Sequence, residues 1–235
     1  MSVPIEGIFG IGAIIEVKIN FSETVFVIGT PQLEIENQNG NSFIDYKSGS
    51  SSETLIFDYI VEAGNSSNYF GYPSSASLKL NGGTVKDFQG NEASISLPIP
   101  GEVNSLRSNT NIAFDTTVPL VSSVDFITTE GFYNQGDTVL IAIIFNEEIY
   151  VEGAPQLSLE TGNNSSVSFT KILGNDTLLF EYIVKEGDNS DDLDYVSVSP
   201  LSLNEARIRD LIGNDADLTL PESGEGNSLS SKSNI

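Results

Sequence analysis

The sequence predicts an all-β protein, two tandem antiparallel β-sandwich domains. Three observations carry this prediction: a long internal repeat, apolar residues that alternate with polar ones, and turn residues at short intervals. The repeat is read directly from the 235 residues. FSETVFVIGTPQLEIE from Phe21 matches FNEEIYVEGAPQLSLE from Phe145, and TLIFDYIVEAGN from Thr54 matches TLLFEYIVKEGD from Thr177. LKLNGGTVKDFQGN from Leu78 then matches LSLNEARIRDLIGN from Leu201, and NSL at Asn104 matches NSL at Asn227. A period far above roughly 50 residues means duplicated domains, not a solenoid. The boundary falls in FDTTVP, Phe114 to Pro119, because Pro119 cannot continue a central strand. The predicted domains are residues 1–117, with a truncated first strand and degenerate acidic loops, and residues 118–235, with a truncated last strand. Ile235 matches Ile112 and Met1 matches Asp125, so the pair reads as an excision from a longer array, and FDTTVP occurs once because one junction lies inside the chain.

Within each copy the elements follow from a period of two. Ile15, Val17, Ile19 and Phe21 alternate with Glu16, Lys18 and Asn20 to give a half-buried strand. Leu55, Phe57, Tyr59 and Val61 form a second inward row. Asn39-Gly40 and Asn81-Gly82 supply residues that tolerate positive φ between strand-like runs. No sustained helical period interrupts the pattern. An isolated sheet could not hide both apolar rows, so the rows predict two packed sheets. Leu140, Ala142, Ile144, Leu179 and Ile183 fall on the outward side of the second copy. That predicts either sheet edges covered by loops or a lateral face for a partner.

Composition excludes several functions. Ten basic residues stand against 33 acidic ones, a formal charge of -23, which repels nucleic acid and suits cations or a cationic partner. The absence of Cys removes disulfides and thiolate sites. No apolar run approaches the roughly 18 residues of a membrane helix, so membrane insertion is not expected. Without His or Trp the chain lacks the commonest general base and the strongest sugar-stacking platform, and no enzyme activity is expected. Sequons at Asn65, Asn164 and Asn175 are expected by chance in a chain this rich in Ser and Asn.

The remaining signal is acidic. If strands alternate up and down, GDT with Asp137 and the loop GDNSDDLDY converge at one pole of the second copy. Asp188, Ser190, Asp192 and Asp194 then present hard oxygens on one side at the spacing of a calcium loop. The matching positions of the first copy, GIGA at Gly10, GN at Gly64 and NYFGYP at Asn68, lack the acids. A bound Ca2+ would relieve the repulsion among the carboxylates; the alternative is a set of acidic loops that keep the surface soluble. Glu23 and Glu147, and Asp87 and Asp210 with Asn91 and Asn214, survive in both copies. A cation bridging Asp115 to Glu147 or Asp210 is one reading. An Asx turn in D-x-x-G-N and a strand end at F-x-E is the other. Tyr69, Phe70 and Tyr72 form the best aromatic cluster for a glycan, unless they fold back to cap the core.

The motifs GDTVLIAIIFNEEIYVEGAPQLSLE, TLLFEYIVKEGD, DDLDY, RDLIGN, NSL and FDTTVP, taken together, resemble the tandem immunoglobulin-like, cadherin-like repeats of giant bacterial surface adhesins. The resemblance covers nearly the whole chain. It implies an extracellular extender module that is stiffened by calcium at the domain poles, has neighbouring repeats of the same longer protein as its partners, and is monomeric when isolated. The acid and proline of FDTTVP also match cadherin linkers. Two further functions are carried as alternatives: a carbohydrate- or protein-binding sandwich, and a fibre subunit that assembles by strand donation through the truncated ends.

Overall fold

The computed structural model describes residues 6–37, 40–65, 70–109, 111–196 and 199–232. The chain separates into two compact units, Met1–Thr117 and Val118–Ile235, each with its own apolar core. Both units are β-sandwiches, as the alternating rows predict. The described residues hold strands and two single-turn 3₁₀ segments, and no α-helix. Among them no helix is long and apolar enough to cross a membrane.

The first unit contains β1 (Gly7–Phe9), β2 (Ile14–Ile28), β3 (Gln32–Asn37), β4 (Gly40–Ser48), β5 (Ser52–Ile60), β6 (Leu78–Lys79), β7 (Thr84–Lys86) and β8 (Ile112–Phe114). Its main path of hydrogen-bonded strands is β6-β3-β4-β5-β2-β7. Two irregularities fold this path into layers. Strand β2 pairs antiparallel with β5 from Ile14↔Ile60 to Asn20↔Thr54, shifts register before Val25, and ends paired with β7. Strand β4 pairs with β3, shifts between Tyr46 and Ser48, and pairs with β5. A bulge bends a strand and raises its twist, so one strand can serve both sheets and close the sandwich at its corners.

The inward rows meet as the sequence requires. Ile15, Val17, Leu55 and Phe57 are fully buried against Leu33 and Ile35 of the facing strand. Each such side chain contributes roughly 1.5–3 kcal/mol by leaving water. The turn between β6 and β7 takes the form expected of Asn-Gly. Asn81 and Gly82 have φ of 51° and 77°, and the Gly83 N–H donates to the Leu80 carbonyl at 2.8 Å. Asn39, of the other predicted turn, lies outside the described residues; its neighbour Gly40 opens β4 at φ 115°.

The second unit repeats the plan with β9 (Val121–Phe126), β10 (Thr138–Phe145), β11 (Tyr150–Glu152), β12 (Gln156–Glu160), β13 (Ser165–Leu173), β14 (Thr177–Ile183), β15 (Asp194–Tyr195), β16 (Leu201–Ser202) and β17 (Arg207–Arg209). Here the counterpart of β2 is split into β10, which pairs with β14, and β11, which pairs with β17. Strand β9 extends the sheet on the other edge of β10. Of the outward apolar row, Ala142 and Leu179 are buried and directly opposite each other, Leu140 and Ile144 are half-buried, and Ile183 is exposed. The row is mostly covered, and it presents no continuous lateral face.

Candidate functional site

The acids of the second unit gather around the end of the sandwich where β10 begins and β14 stops. Val184 and Asp137 hold that end together: the Gly136 N–H donates to the Val184 carbonyl at 2.9 Å, and the Val184 N–H donates to the Asp137 carbonyl at 3.0 Å. The loop after β14 passes through Asp188 and returns as β15, where Asp194 pairs with Glu160. The Asn189 N–H donates to the Thr161 carbonyl at 3.0 Å and fixes the loop to the β12–β13 connection.

Three of the four candidate carboxylates at this pole accept hydrogen bonds from nearby donors. Asp137 Oδ2 accepts from the Asn134 N–H at 2.7 Å. Asp188 Oδ2 accepts from the Tyr182 hydroxyl and, at 2.9 Å, from the Lys185 N–H. Asp194, buried, accepts from the Tyr195 N–H at 2.8 Å and from the Ser223 hydroxyl. Asp192 is exposed. Among the described residues no three acidic groups stand close enough together to hold a metal ion. Three of the four candidate carboxylates face separate backbone and hydroxyl donors.

Electrostatics agree with this division of labour. Burial works to raise the Asp188 carboxyl, but the hydrogen bonds from Tyr182, Lys185 and Thr161 and the Lys185 charge together hold it below the usual carboxylate range. Asp192 is pushed up, first by desolvation and then by the charge of Asp194. Burial raises the phenol of Tyr182, and Asp188 adds to the effect. Burial, with help from Asp194, pushes Tyr195 up to about 12.

The first unit shows what this loop is for. Asn65 occupies the place of Asp188: its Oδ1 accepts from the Tyr59 hydroxyl at 2.8 Å and from the Glu62 N–H at 2.8 Å. The acid is exchanged for an amide and the structural task is unchanged. A shared acceptor, not a shared charge, is what both loops require. The aligned endings VEAGN and VKEGD, each six residues after a core tyrosine, carry this signal in the sequence.

The D-x-x-G-N acids take the Asx-turn alternative. Asp210 is buried, its Oδ1 accepts from the N–H groups of Ile212, Gly213 and Asn214 at 2.8, 2.6 and 2.8 Å, and its Oδ2 accepts from the Asn214 amide at 2.6 Å. Asp87 does the same with Asn91, whose side-chain amide and N–H lie at 2.7 and 2.8 Å. The Asn91 side chain is the main reason that the Asp87 carboxyl sits below its usual range. Glu23, Asp87 and Asn91 line one hollow of about 700 Å³ in the first unit. Glu147 lies half-buried between β10 and β11. In the first unit Asp115 Oδ1 accepts from the Thr117 N–H at 3.1 Å, another Asx turn; in the second unit Asp217 Oδ1 accepts from the Thr219 N–H at 2.9 Å, and the Thr219 hydroxyl first, then this N–H, holds its carboxyl below the usual range. Carboxyls held low contribute stability above their unfolded pKa and lose it as pH falls through the lower folded value. Asp87, Asp188 and Asp217 therefore weaken the fold below about pH 4, while Asp192 acts in the opposite direction.

The aromatic cluster requires a correction. Phe70 and Tyr72 are 0% and 1% exposed and belong to the first core, so neither ring can stack on a sugar. Phe70 meets Tyr59 edge-on at 5.2 Å between ring centroids, and the Tyr72 hydroxyl donates to the Pro98 carbonyl at 2.7 Å. They cap the core, as the alternative reading has it. Tyr69 lies outside the described residues.

Two β-sandwiches whose end loops are tied by carboxylate and amide acceptors define the class of protein: a tandem sandwich with structural poles. Set against known proteins, the chain matches no family model, no curated protein and no solved structure.

A direct check follows for the poles. Melting in about millimolar calcium, the range at which extracellular calcium modules fill, is expected to give the same midpoint as melting with a chelator at matched ionic strength. A calcium-specific rise that magnesium does not reproduce would restore the cation site at Asp188, Asp192 and Asp194.

Proposed function

We propose that the chain is a structural segment, two spacer modules of a bacterial cell-surface adhesin, placed outside the cell with neighbouring repeats of the same longer protein as its partners. The observation that supports this reading is what the two copies keep in common. Tyr59 and Tyr182, Tyr72 and Tyr195, Leu106 and Leu229, and Asp87 and Asp210 are retained as core or turn residues. The sequences of the connecting segments differ: GIGA stands against NQGD, and SSNY against NSDD. Duplication has preserved the means of making a sandwich. The adhesin setting comes from the resemblance of the ordered motifs, and the charge of -23 suits a module that must stay soluble beside copies of itself.

In this reading the acids shape loops, and calcium is given no step. The test is mechanical. Pulled from its ends, the chain is expected to unfold in two discrete events, each releasing about 400 Å, the extended length of one unit at roughly 3.5 Å per residue. Gradual extension without such events would remove the spacer reading.

A further inference from the structure

One group of outward side chains is kept in kind, though not in identity, at the same place in both units. In the first, Phe26 of β2 stands directly opposite Lys86 of β7, and Lys86 stands opposite Glu92. In the second, Tyr150 of β11 stands opposite Arg209 of β17, and Arg209 stands opposite Asp215. Directly opposed residues share one face of a sheet, so each unit carries a row of one aromatic ring, one cation and one acid. Lys86 Nζ reaches Glu92 Oε1 at 2.9 Å, and Arg209 Nε reaches Asp215 Oδ1 at 3.1 Å. Val85 and Ile208, the neighbours on the other face, are buried in their cores. The turn that follows adds an apolar side chain at matching positions, Phe88 and Leu211, 83% and 68% exposed. The Phe88 ring lies 6.1 Å from that of Phe26 between centroids.

At all three positions of the row the residue differs between the copies and its class does not: Phe for Tyr, Lys for Arg, Glu for Asp. An ion pair across strands accounts for the charges by itself. It does not account for a ring beside each pair, and Tyr150 is 58% exposed. Each cation is balanced by an acid, so the row carries no net charge in a chain whose formal charge is -23. Glu152, 4.0 Å from Arg209, keeps this balance because it stands opposite Arg207. An anionic ligand would be repelled by the rest of the chain, and a cationic one by Lys86 or Arg209. The complement of the row is therefore an uncharged molecule with one apolar face and adjacent groups that both donate and accept hydrogen bonds.

We infer that the two rows bind neutral glycans, one on each unit. The C–H face of a pyranose ring lies on Phe26 or Tyr150. Of two neighbouring hydroxyls, one accepts from Lys86 or Arg209 and the other donates to Glu92 or Asp215. The ion pair already holds base and acid beside each other, so binding has little side-chain freedom left to remove. Glycan recognition then belongs to a strand face of each sandwich, and not to Phe70 and Tyr72, which the first core uses. The inference does not rest on the spacer reading, and its failure would leave the mechanical test untouched.

The experiment applies the full chain to an array of immobilised oligosaccharides, with neutral gluco-, galacto-, manno- and N-acetylated members beside sulfated and sialylated ones. Retention on a neutral class is expected. The soluble form of the retained oligosaccharide should then move amide chemical shifts in both rows, at Phe26, Lys86 and Phe88 and at Tyr150, Arg209 and Leu211. Tyr150→Ser is expected to weaken the site of the second unit roughly tenfold and to leave that of the first unchanged. Asp215→Asn, at an exposed carboxylate, should weaken the same site while the ring stays in place. Retention of neutral glycans no greater than that of the double variant Phe26→Ser, Tyr150→Ser, a preference for anionic glycans, or shifts confined to other surfaces would each overturn the proposal. Shifts of the rows that follow protein concentration without glycan would overturn it in favour of contact between copies of this chain. Should the double variant not fold, Tyr150→Ser and Asp215→Asn decide at the second unit alone.

Discussion

Phe114→Ala is expected to lower the unfolding free energy of the first unit by about 3–5 kcal/mol, the usual range for removing a buried phenylalanine. Phe114 is 7% exposed, and its ring sits between Tyr59 and Phe70 at the end of a strand of only three residues. Truncation leaves a cavity, removes two aromatic contacts and loosens the short strand that pairs with β1. Against a total of about 5–15 kcal/mol for a domain, the loss is large. Urea unfolding followed by tyrosine fluorescence should show one transition shifted to lower denaturant with its slope unchanged, and a second transition, that of Val118–Ile235, in place. A shift worth less than about 1 kcal/mol would mean that β8 is a loose appendage.

Asp210→Ala is the second large effect. The carboxylate collects three backbone N–H groups and one side-chain amide in a buried turn, and its removal leaves those donors without an acceptor. Hydrogen bonds to a charged group contribute about 1.5–3 kcal/mol each in isolation, and water will re-enter part of the turn, so a net loss of about 2–3 kcal/mol is expected. Asp210→Asn should recover part of it: the amide oxygen can still serve the backbone, while its NH₂ meets the NH₂ of Asn214. Asp87→Ala should cost less, since Asp87 is half-exposed and water can replace it. Equal losses at the two sites, measured by thermal melting, would show that burial is not what sets the importance of this turn. A calcium-dependent loss at Asp210 alone would show that its carboxylate also serves a cation.

The fold was legible because it depends on patterns that survive without three-dimensional information. Alternation at Ile15, Val17 and Ile19 and at Leu55, Phe57 and Tyr59 leaves one way to bury both rows. The Asn81-Gly82 turn needs only the positive φ those residues tolerate. The poles were less legible. Acids at alternate positions predict a common direction, but the loop after β14 is not a strand until Asp194, and its carboxylates turn to the nearest donors. Phe70 and Tyr72 misled for a related reason: a loop rich in polar residues can still carry core side chains when it crosses the open end of a sandwich.

By itself, then, the sequence determined that this is an all-β chain with a duplicated plan, which residues face inward, and where the plan repeats. These follow from periodicity, turn chemistry and self-similarity, all local or countable along the chain. Only the tertiary structure decided that Asp188 and Asn65 perform one task, that Asp210 is used up by its own turn, and that Phe114 packs between Tyr59 and Phe70. The reason is that a hydrogen-bond acceptor or a pocket is defined by what stands opposite it, and for these residues the partner comes from a different strand or loop.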